Sequence, residues 1–441
     1  MSVETLSRVQ FAITIGFHYL LAITTLGLTL FILILETAAL FRWEERYGRA
    51  SAFLTKILGL VFVGGVATGI LLPVEIAANW ARFSRFAGPV FGPMLSLEAS
   101  MAFALESAFL AVLLFGRNKV PPLVLWFAAV CVFLGSHFSA FLIVAANSWM
   151  QTPAGYVMEN GQVVLTSLRV ALFNPSALLR VLHVLTAAWV TGAFLTCGMA
   201  AYYAARGLQE ELARTLFKIA LPIAFLMALA QPVVGHFHIM NAAEHVPEKV
   251  AAFEGVFHTT KGAPLYLFGI PDQANRMVHV PVYIPCALSF LESGSLHSEV
   301  RGLDEFPVDQ WPMVNMVFTC FHLMVLLGVA MIAISGLGVF LLWRGRLAET
   351  RWYLLLLPWL AVLPYLANEI GWGAAEMGRQ PWVIHNVLRT AAATSAALPA
   401  WQVAISLAAI FTAYLLIVAL TILFACRMVR RGPDQPGEAH P

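Results

Sequence analysis

Long apolar stretches separated by short polar ones dominate the chain. Between charged residues the runs are 9–35, 57–74, 120–158, 181–205, 219–243, 310–343, 352–368 and 390–426, and a ninth near 94–116 is broken only by Glu98 and Glu106. A helix crossing the hydrocarbon layer takes about 20 mostly apolar residues. Barrel strands would be about ten residues long and alternate in polarity, and these runs do neither. The pattern predicts an all-α, polytopic membrane bundle of about nine transmembrane helices. Helices 1–6 fall in 1–235, a loop in 236–310 and helices 7–9 in 311–427, and 428–441 is expected to be a disordered tail. The first run is too long for a cleaved signal peptide and no small-residue cleavage site follows it, so it is expected to be a retained span.

Nine spans put the termini on opposite sides. The segments on one side hold 15 Lys and Arg in 55 residues, and those on the other hold 11 in 164. By the positive-inside rule the first set, with the C-terminus, is cytoplasmic. The N-terminus and the 236–310 loop then face outward. Composition agrees with a membrane location: of 441 residues, 60% are hydrophobic and 11% charged, against about 25% charged in soluble domains. That excludes a cytosolic enzyme and a disordered chain. A net charge of +2 without a basic run argues against nucleic acid as a partner, and five cysteines, an odd number, do not make a disulfide scaffold.

Against so few charges, ionisable residues inside spans stand out, and such residues are usually functional. His18 lies near one helical stripe with Thr14, Thr25 and Thr29, and His183 is followed by Thr186, Ala187, Val190 and Thr191. Glu98 and Glu106 are eight residues apart, about 80° around a regular helix. Met324 and Glu376 complete a set that parity places in the outer half of the membrane. The plain alternative for each histidine is a hydrogen-bonded packing residue, and His137 and His322 are read that way. For the two glutamates it is a bond to a neighbouring hydroxyl such as Ser136 or Ser139, and for Met324 it is apolar filling. Glu376 is followed by Met377-Gly378-Arg379-Gln380-Pro381-Trp382, a corner in which Arg379 can grip a carboxylate. The loop carries His236, His238, His245, Glu248, Lys249, Glu254 and His258. It is either a cover over the bundle or a substrate site at the membrane surface.

Six segments, in order, resemble subunit I of the cytochrome bd-type quinol oxidases. They are Leu6-Ser7-Arg8-Val9-Gln10-Phe11 ahead of His18, Phe103-Ala104-Leu105-Glu106-Ser107, Asn147-Ser148-Trp149-Met150-Gln151, Val190-Thr191-Gly192-Ala193, Phe268-Gly269-Ile270-Pro271-Asp272-Gln273, and Gly378-Arg379-Gln380-Pro381-Trp382. The resemblance runs nearly end to end, apart from the tail. It implies that His183 and Met324 are the axial pair of heme b558, that His18 binds heme d and that Glu376 binds heme b595. Trp372 matches an aromatic near the latter two hemes. Glu98 and Glu106 match acids beside the oxygen-reducing site and its proton path, and Lys249 and Glu254 match residues of a quinol-binding loop. That loop resembles the shorter-loop branch. Related cyanide-insensitive oxidases can hold a b-type heme in place of d, and both heme sets stay open. His322 stands where many members have Arg, two residues before the axial Met.

The resemblance further implies quinol oxidation on the outer face and reduction of O2 to water with cytoplasmic protons, building proton-motive force without a pump. It implies residence in the bacterial cytoplasmic (inner) membrane, with quinol, O2 and lipid as ligands, a subunit II and a small single-span subunit as partners. Ubiquinol and menaquinol are not distinguished. Two other functions are weighed. A proton-coupled transporter would show inverted repeats and broken helices in matched halves. No repeat is visible, and nine spans do not divide into halves. A b-type cytochrome that only carries electrons would need no counterpart of His18 or Glu376.

Overall fold

The computed structural model describes residues 1–42, 44–396 and 398–433. Lipid offers no partner for backbone N–H and C=O groups, so apolar runs close into helices. Among the described residues nine helices are long and apolar enough to cross a membrane: α1 Val3–Arg42, α2 Glu45–Asn79, α3 Ala81–Phe115, α4 Pro122–Gln151, α5 Ala177–Arg206, α6 Glu210–His245, α7 Val314–Trp343, α8 Arg351–Met377 and α9 Ala400–Arg431. Parity puts the N-terminus of α1, the C-termini of α2, α6 and α8, and the long connection 246–313 at one end of the bundle, called here the loop end.

Helix α1 is the centre. It packs on α2, α4, α5 and α9, and 67% of its most apolar window is buried, against 17% for α7 and α9. Its crossing with α5 is backbone to backbone: a Cβ on Gly27 would come within 2.7 Å of Gly192 Cα. Leu28, Ile32 and Leu35 of α1, Leu54 and Leu58 of α2, Phe194 of α5 and Leu221 of α6 belong to the main apolar core.

Several helices run past their apolar windows. Helices α2 and α8 continue through Glu75 and Glu369, where the runs 57–74 and 352–368 stop, because these carboxyls lie inside the protein. Helix α6 extends to His245, so His236, His238 and His245 are helical and the loop begins ten residues later than expected. Helix α9 runs from Ala400 to Arg431, so the expected tail is helical at 428–431, and its residues 434–441 lie outside the described ones. Helix α3, with Pro89 and Pro93 inside it, has a π turn at Glu98–Ala102.

The long connection is ordered. Its helix Pro247–Glu254 leads into a hairpin, Leu265–Asp272 with Met277–Ile284, and a smaller ladder, Thr260–Lys261 with Glu299–Val300, all antiparallel. Ala251, Ala252, Phe253, Val256, Phe257 and Leu288 form a core with Trp311, Val314 and Val317 at the start of α7, which seats the loop on the bundle. Asp272 closes the hairpin turn by accepting from the amides of Ala274 and Asn275, each at 3.0 Å. Gln273 accepts from the Val314 amide at 3.3 Å.

Candidate functional site

Glu376 ends the last turn of α8 at the loop end. Arg379, three residues on, is buried and ion-paired to it through Nη2. Asn147 Nδ2 donates to Glu376 Oε1 at 2.9 Å, and Asn147 Oδ1 accepts in turn from Arg180. One helical turn after Asn147, Gln151 accepts from Lys249 Nζ at 3.0 Å, and the same ammonium donates to the Ala375 carbonyl at 2.8 Å. Helices α4, α5 and α8 and the loop helix thus converge on one carboxylate. Three cations surround it, Lys249 and Arg379 buried and Arg180 partly so, and several covered donors are unsatisfied: Arg180 Nε, Arg379 Nε and Nη1, and the Gln151 amide nitrogen nearby. Burial, then repulsion from Arg180 and Arg379, holds the Lys249 ammonium well below the usual lysine range. A buried donor left unpaired costs about 1–3 kcal/mol. A cluster of them fits a ligand that brings carboxylates.

The histidines divide into two kinds. His137 accepts from Trp189 Nε1 at 3.0 Å and donates to the Phe133 carbonyl at 2.8 Å, and His322 lies between the Phe318 and Tyr266 carbonyls, each at 2.9 Å. His137 is satisfied by the protein, whereas neutral His322 has one N–H for two carbonyl acceptors, and its approach to the Tyr266 carbonyl links α7 to the loop hairpin. His18 is different. Its Nδ1 meets Thr68 Oγ1 at 3.0 Å, and Thr68 already directs its hydroxyl hydrogen to the Gly64 and Gly65 carbonyls. With the Thr68 hydrogen on either carbonyl, its oxygen accepts from Nδ1–H and the Nε2 lone pair stays open, the tautomer that suits a metal ligand. His183 is buried against α6, where Gln231 Nε2 lies 3.1 Å from its Nε2, and its Nδ1 has no partner. A metal at Nε2 would require the Gln231 amide to turn away. The Met324 sulfur lies against α8, where Gly371 leaves room for it: a Cβ there would sit 2.5 Å from Sδ. His183 and Met324 lean on different helices, α6 and α8. Trp372 is one turn before Glu376, half-buried.

The π turn changes the relation between Glu98 and Glu106. It takes one residue more than an α turn, so eight residues advance as about seven would, close to two full turns. The two carboxyls therefore share a face instead of standing about 80° apart. Both meet α4: Ser139 donates to Glu98 Oε1 at 2.8 Å, and Gly135 lies against the Glu106 backbone. Glu106 is buried with Oε1 unpartnered.

In the loop, Lys249 and Glu254 point apart. Lys249 belongs to the Glu376 cluster. Glu254 is 2% exposed and has an unpartnered Oε2. Burial, then the neighbouring Glu292 carboxyl, pushes Glu254 up to about 8. Above the helix, the hairpin turns Leu267, Phe268, Ile270, Val280 and Val282 outward, each more than half exposed.

Arg180, Gln231, Glu292, Glu75 and Glu369 are absent from the sequence-based set. Arg180, Gln231 and Glu292 reach their partners only through tertiary packing. Glu75 and Glu369 had a signal: each stands at the edge of an apolar run shorter than a full span, which a helix has to complete.

The chain is similar to known proteins over nearly its whole length. A family model described as cytochrome bd terminal oxidase subunit I matches residues 6–433. The cytochrome bd ubiquinol oxidase subunit 1 of Bacillus subtilis (strain 168) is 31% identical over 98% of this chain and 95% of its own. The cytochrome bd-II ubiquinol oxidase subunit 1 of Escherichia coli (strain K12) is 29% identical over 97% and 96%. Among solved structures, the bd oxidase from Geobacillus thermodenitrificans superposes with a TM-score of 0.91 at 29% identity, covering 98% of this chain and 99% of that one.

Proposed function

The chain belongs to the cytochrome bd terminal oxidase subunit I family, and from that membership we propose how its residues divide the work of a quinol oxidase. The family makes it a multi-pass membrane subunit of a heme-bearing respiratory quinol:oxygen oxidoreductase, working with a subunit II. The observation that carries the finer reading is the set of unsatisfied buried donors around Glu376 and Arg379, which fit the two propionates of a heme. Bound hemes supply electron transfer and the reduction of dioxygen.

In this reading His183 and Met324 hold heme b558, Glu376 holds heme b595, and His18, with its Nε2 lone pair, holds heme d or a b-type heme in its place. Trp372 packs beside the high-spin pair. Arg379, Arg180 and Lys249 bind propionates, so Lys249 acts from the heme side of the loop helix. On the other side of that helix, Glu254 takes protons from quinol seated under the apolar hairpin, with Glu292 as its partner. The 246–310 segment is then the quinol-binding loop. It faces outward, with the N-terminus outside and the C-terminus in the cytoplasm, in a bacterial cytoplasmic membrane. Glu98 and Glu106, aligned on one face of α3, hold protons that come from the cytoplasmic side, Glu106 being the deeper. Charge is separated across the membrane without a pump. Ubiquinol or menaquinol, O2, lipid and a small single-span subunit complete the proposed set of partners.

Oxygen uptake by the purified complex tests the quinol assignment. Glu254→Ala is expected to abolish uptake driven by quinol while uptake driven by an artificial reductant persists. Equal loss of both would place the quinol elsewhere.

A further inference from the structure

The face of α1 turned to α2 and α9 carries, from its loop end inward, Ser7, Gln10, Thr14 and His18, at spacings of three, four and four. Ser7, Gln10 and Thr14 are buried, at 0%, 2% and 0% exposure. Ser406 of α9 donates to Gln10 Oε1 at 2.9 Å. Beside Thr14 lies the carboxyl of Glu75 from α2. Glu75 is 3% exposed, and beyond the neighbouring Thr14 hydroxyl its oxygens have no hydrogen-bond partner. One turn further along α2, Asn79 Nδ2 is also buried and unpartnered, as is Ser7 Oγ on α1. Tyr414 of α9, the other titratable group facing Glu75, gives its hydrogen to the Thr68 carbonyl. Inward of His18, Leu21 packs on Gly64 and Gly65, and the Thr421 hydroxyl of α9, which lies against Gly64, donates to the Ile417 carbonyl at 2.8 Å.

Donors and acceptors left unsatisfied side by side in a narrow seam are matched by ordered water, which needs two to four polar partners. The seam is only side-chain wide, as the direct Gln10–Ser406 bond shows, too narrow for a macrocycle. Its inner part is lined by the hydroxyls of Thr14, 2.9 Å from the Gln10 carbonyl, and Thr68, 3.0 Å from the Gly64 and Gly65 carbonyls.

We propose that this α1–α2–α9 seam is a hydrated outlet from the His18 region to the loop end, through which product water leaves, with Glu75 as a carboxyl that exchanges its proton with the loop-side medium. It is separate from the Glu98–Glu106 face, which lies against α4. The outlet role rests on the oxidase reading, since that reaction makes two waters per O2. The hydration and sidedness of the seam do not.

The test uses the heme-loaded complex in proteoliposomes of known sidedness, with infrared difference spectra after a pH step applied to one side in an impermeant buffer. The carboxyl band removed by Glu75→Gln is expected to respond to loop-side steps roughly tenfold faster than to steps on the other side. Gln10→Leu, which keeps the carboxyl but removes the polar link, is expected to slow that response roughly tenfold, the equivalent of about 1.4 kcal/mol. It should lower kcat while leaving KM for quinol and the heme spectrum unchanged. Ser406→Val serves in its place if Gln10→Leu does not assemble. A band that follows either side equally, no Glu75 band, or an unaltered response and kcat in the plugged variant overturns the proposal. A preparation without heme but with sided exchange sinks the oxidase reading alone.

Discussion

Thr68 decides which nitrogen His18 offers. With its hydroxyl hydrogen on a helix carbonyl, it accepts from Nδ1 and leaves the Nε2 lone pair open to the proposed heme iron. Thr68→Val removes that acceptor, and losses of this kind commonly weaken metal affinity by 10–100-fold. The variant is expected to lose the CO-reactive heme in titrations of heme content while the low-spin spectrum remains. Met324→Leu should do the reverse, turning heme b558 high-spin or losing it with the other hemes in place. An unchanged low-spin spectrum would refute the assignment of Met324. Glu254 adds a pH dependence. Its folded value, about 8, lies above the ordinary glutamate value of about 4.3. Below ~4.3 folded and unfolded chains both carry the proton. Between the two values only the unfolded chain ionises, so Glu254 removes stability as pH rises through that window and no more above it. If the ionised carboxylate accepts the quinol proton, quinol-driven uptake rises through about pH 8, and uptake from an artificial reductant does not. Parallel profiles for the two donors would count against Glu254. His18, His183, Glu98 and Glu376 were legible in sequence because a polar group in a long apolar run is conspicuous. Arg180, Gln231 and Glu292 were not, because their meaning lies in what they meet across helices.

Among the elements, α3 shows how local backbone sets chemistry. Its π turn puts Glu98 and Glu106 on one face, a relation that counting at 3.6 residues per turn misses. The α1–α5 crossing depends on Gly27 and Gly192, since small residues let helix backbones meet. Gly192→Ala would drive a methyl into the Gly27 backbone, with atoms 2.5–2.6 Å away. Overpacking costs about 1–3 kcal/mol and sometimes more. The thermal unfolding midpoint should fall by several degrees, with loss of the hemes that α1 and α5 are proposed to hold. A midpoint unchanged from wild type would show that the helices can part freely. Helix number was legible from the apolar runs. The ends of α2 and α8 were not, because Glu75 and Glu369, which end their hydropathy windows, are here covered by neighbouring helices, and α6 runs on past its apolar window to His245.

For the whole molecule, burial is lopsided. Helix α1 is enclosed, while α7 and α9 each bury only 17% of their most apolar windows. A bundle with such open faces meets lipid or the second subunit family membership supplies. The proposed heme ligands come from α1, α5, α7 and α8, so in this reading oxidase chemistry depends on the assembled bundle and not on one segment. The most direct test of that claim is a reduced-minus-oxidised spectrum of the purified two-subunit complex, repeated with CO. The expected result is a low-spin b heme together with a CO-reactive high-spin heme. A complex without heme, or with low-spin heme alone and no CO response, would contradict it.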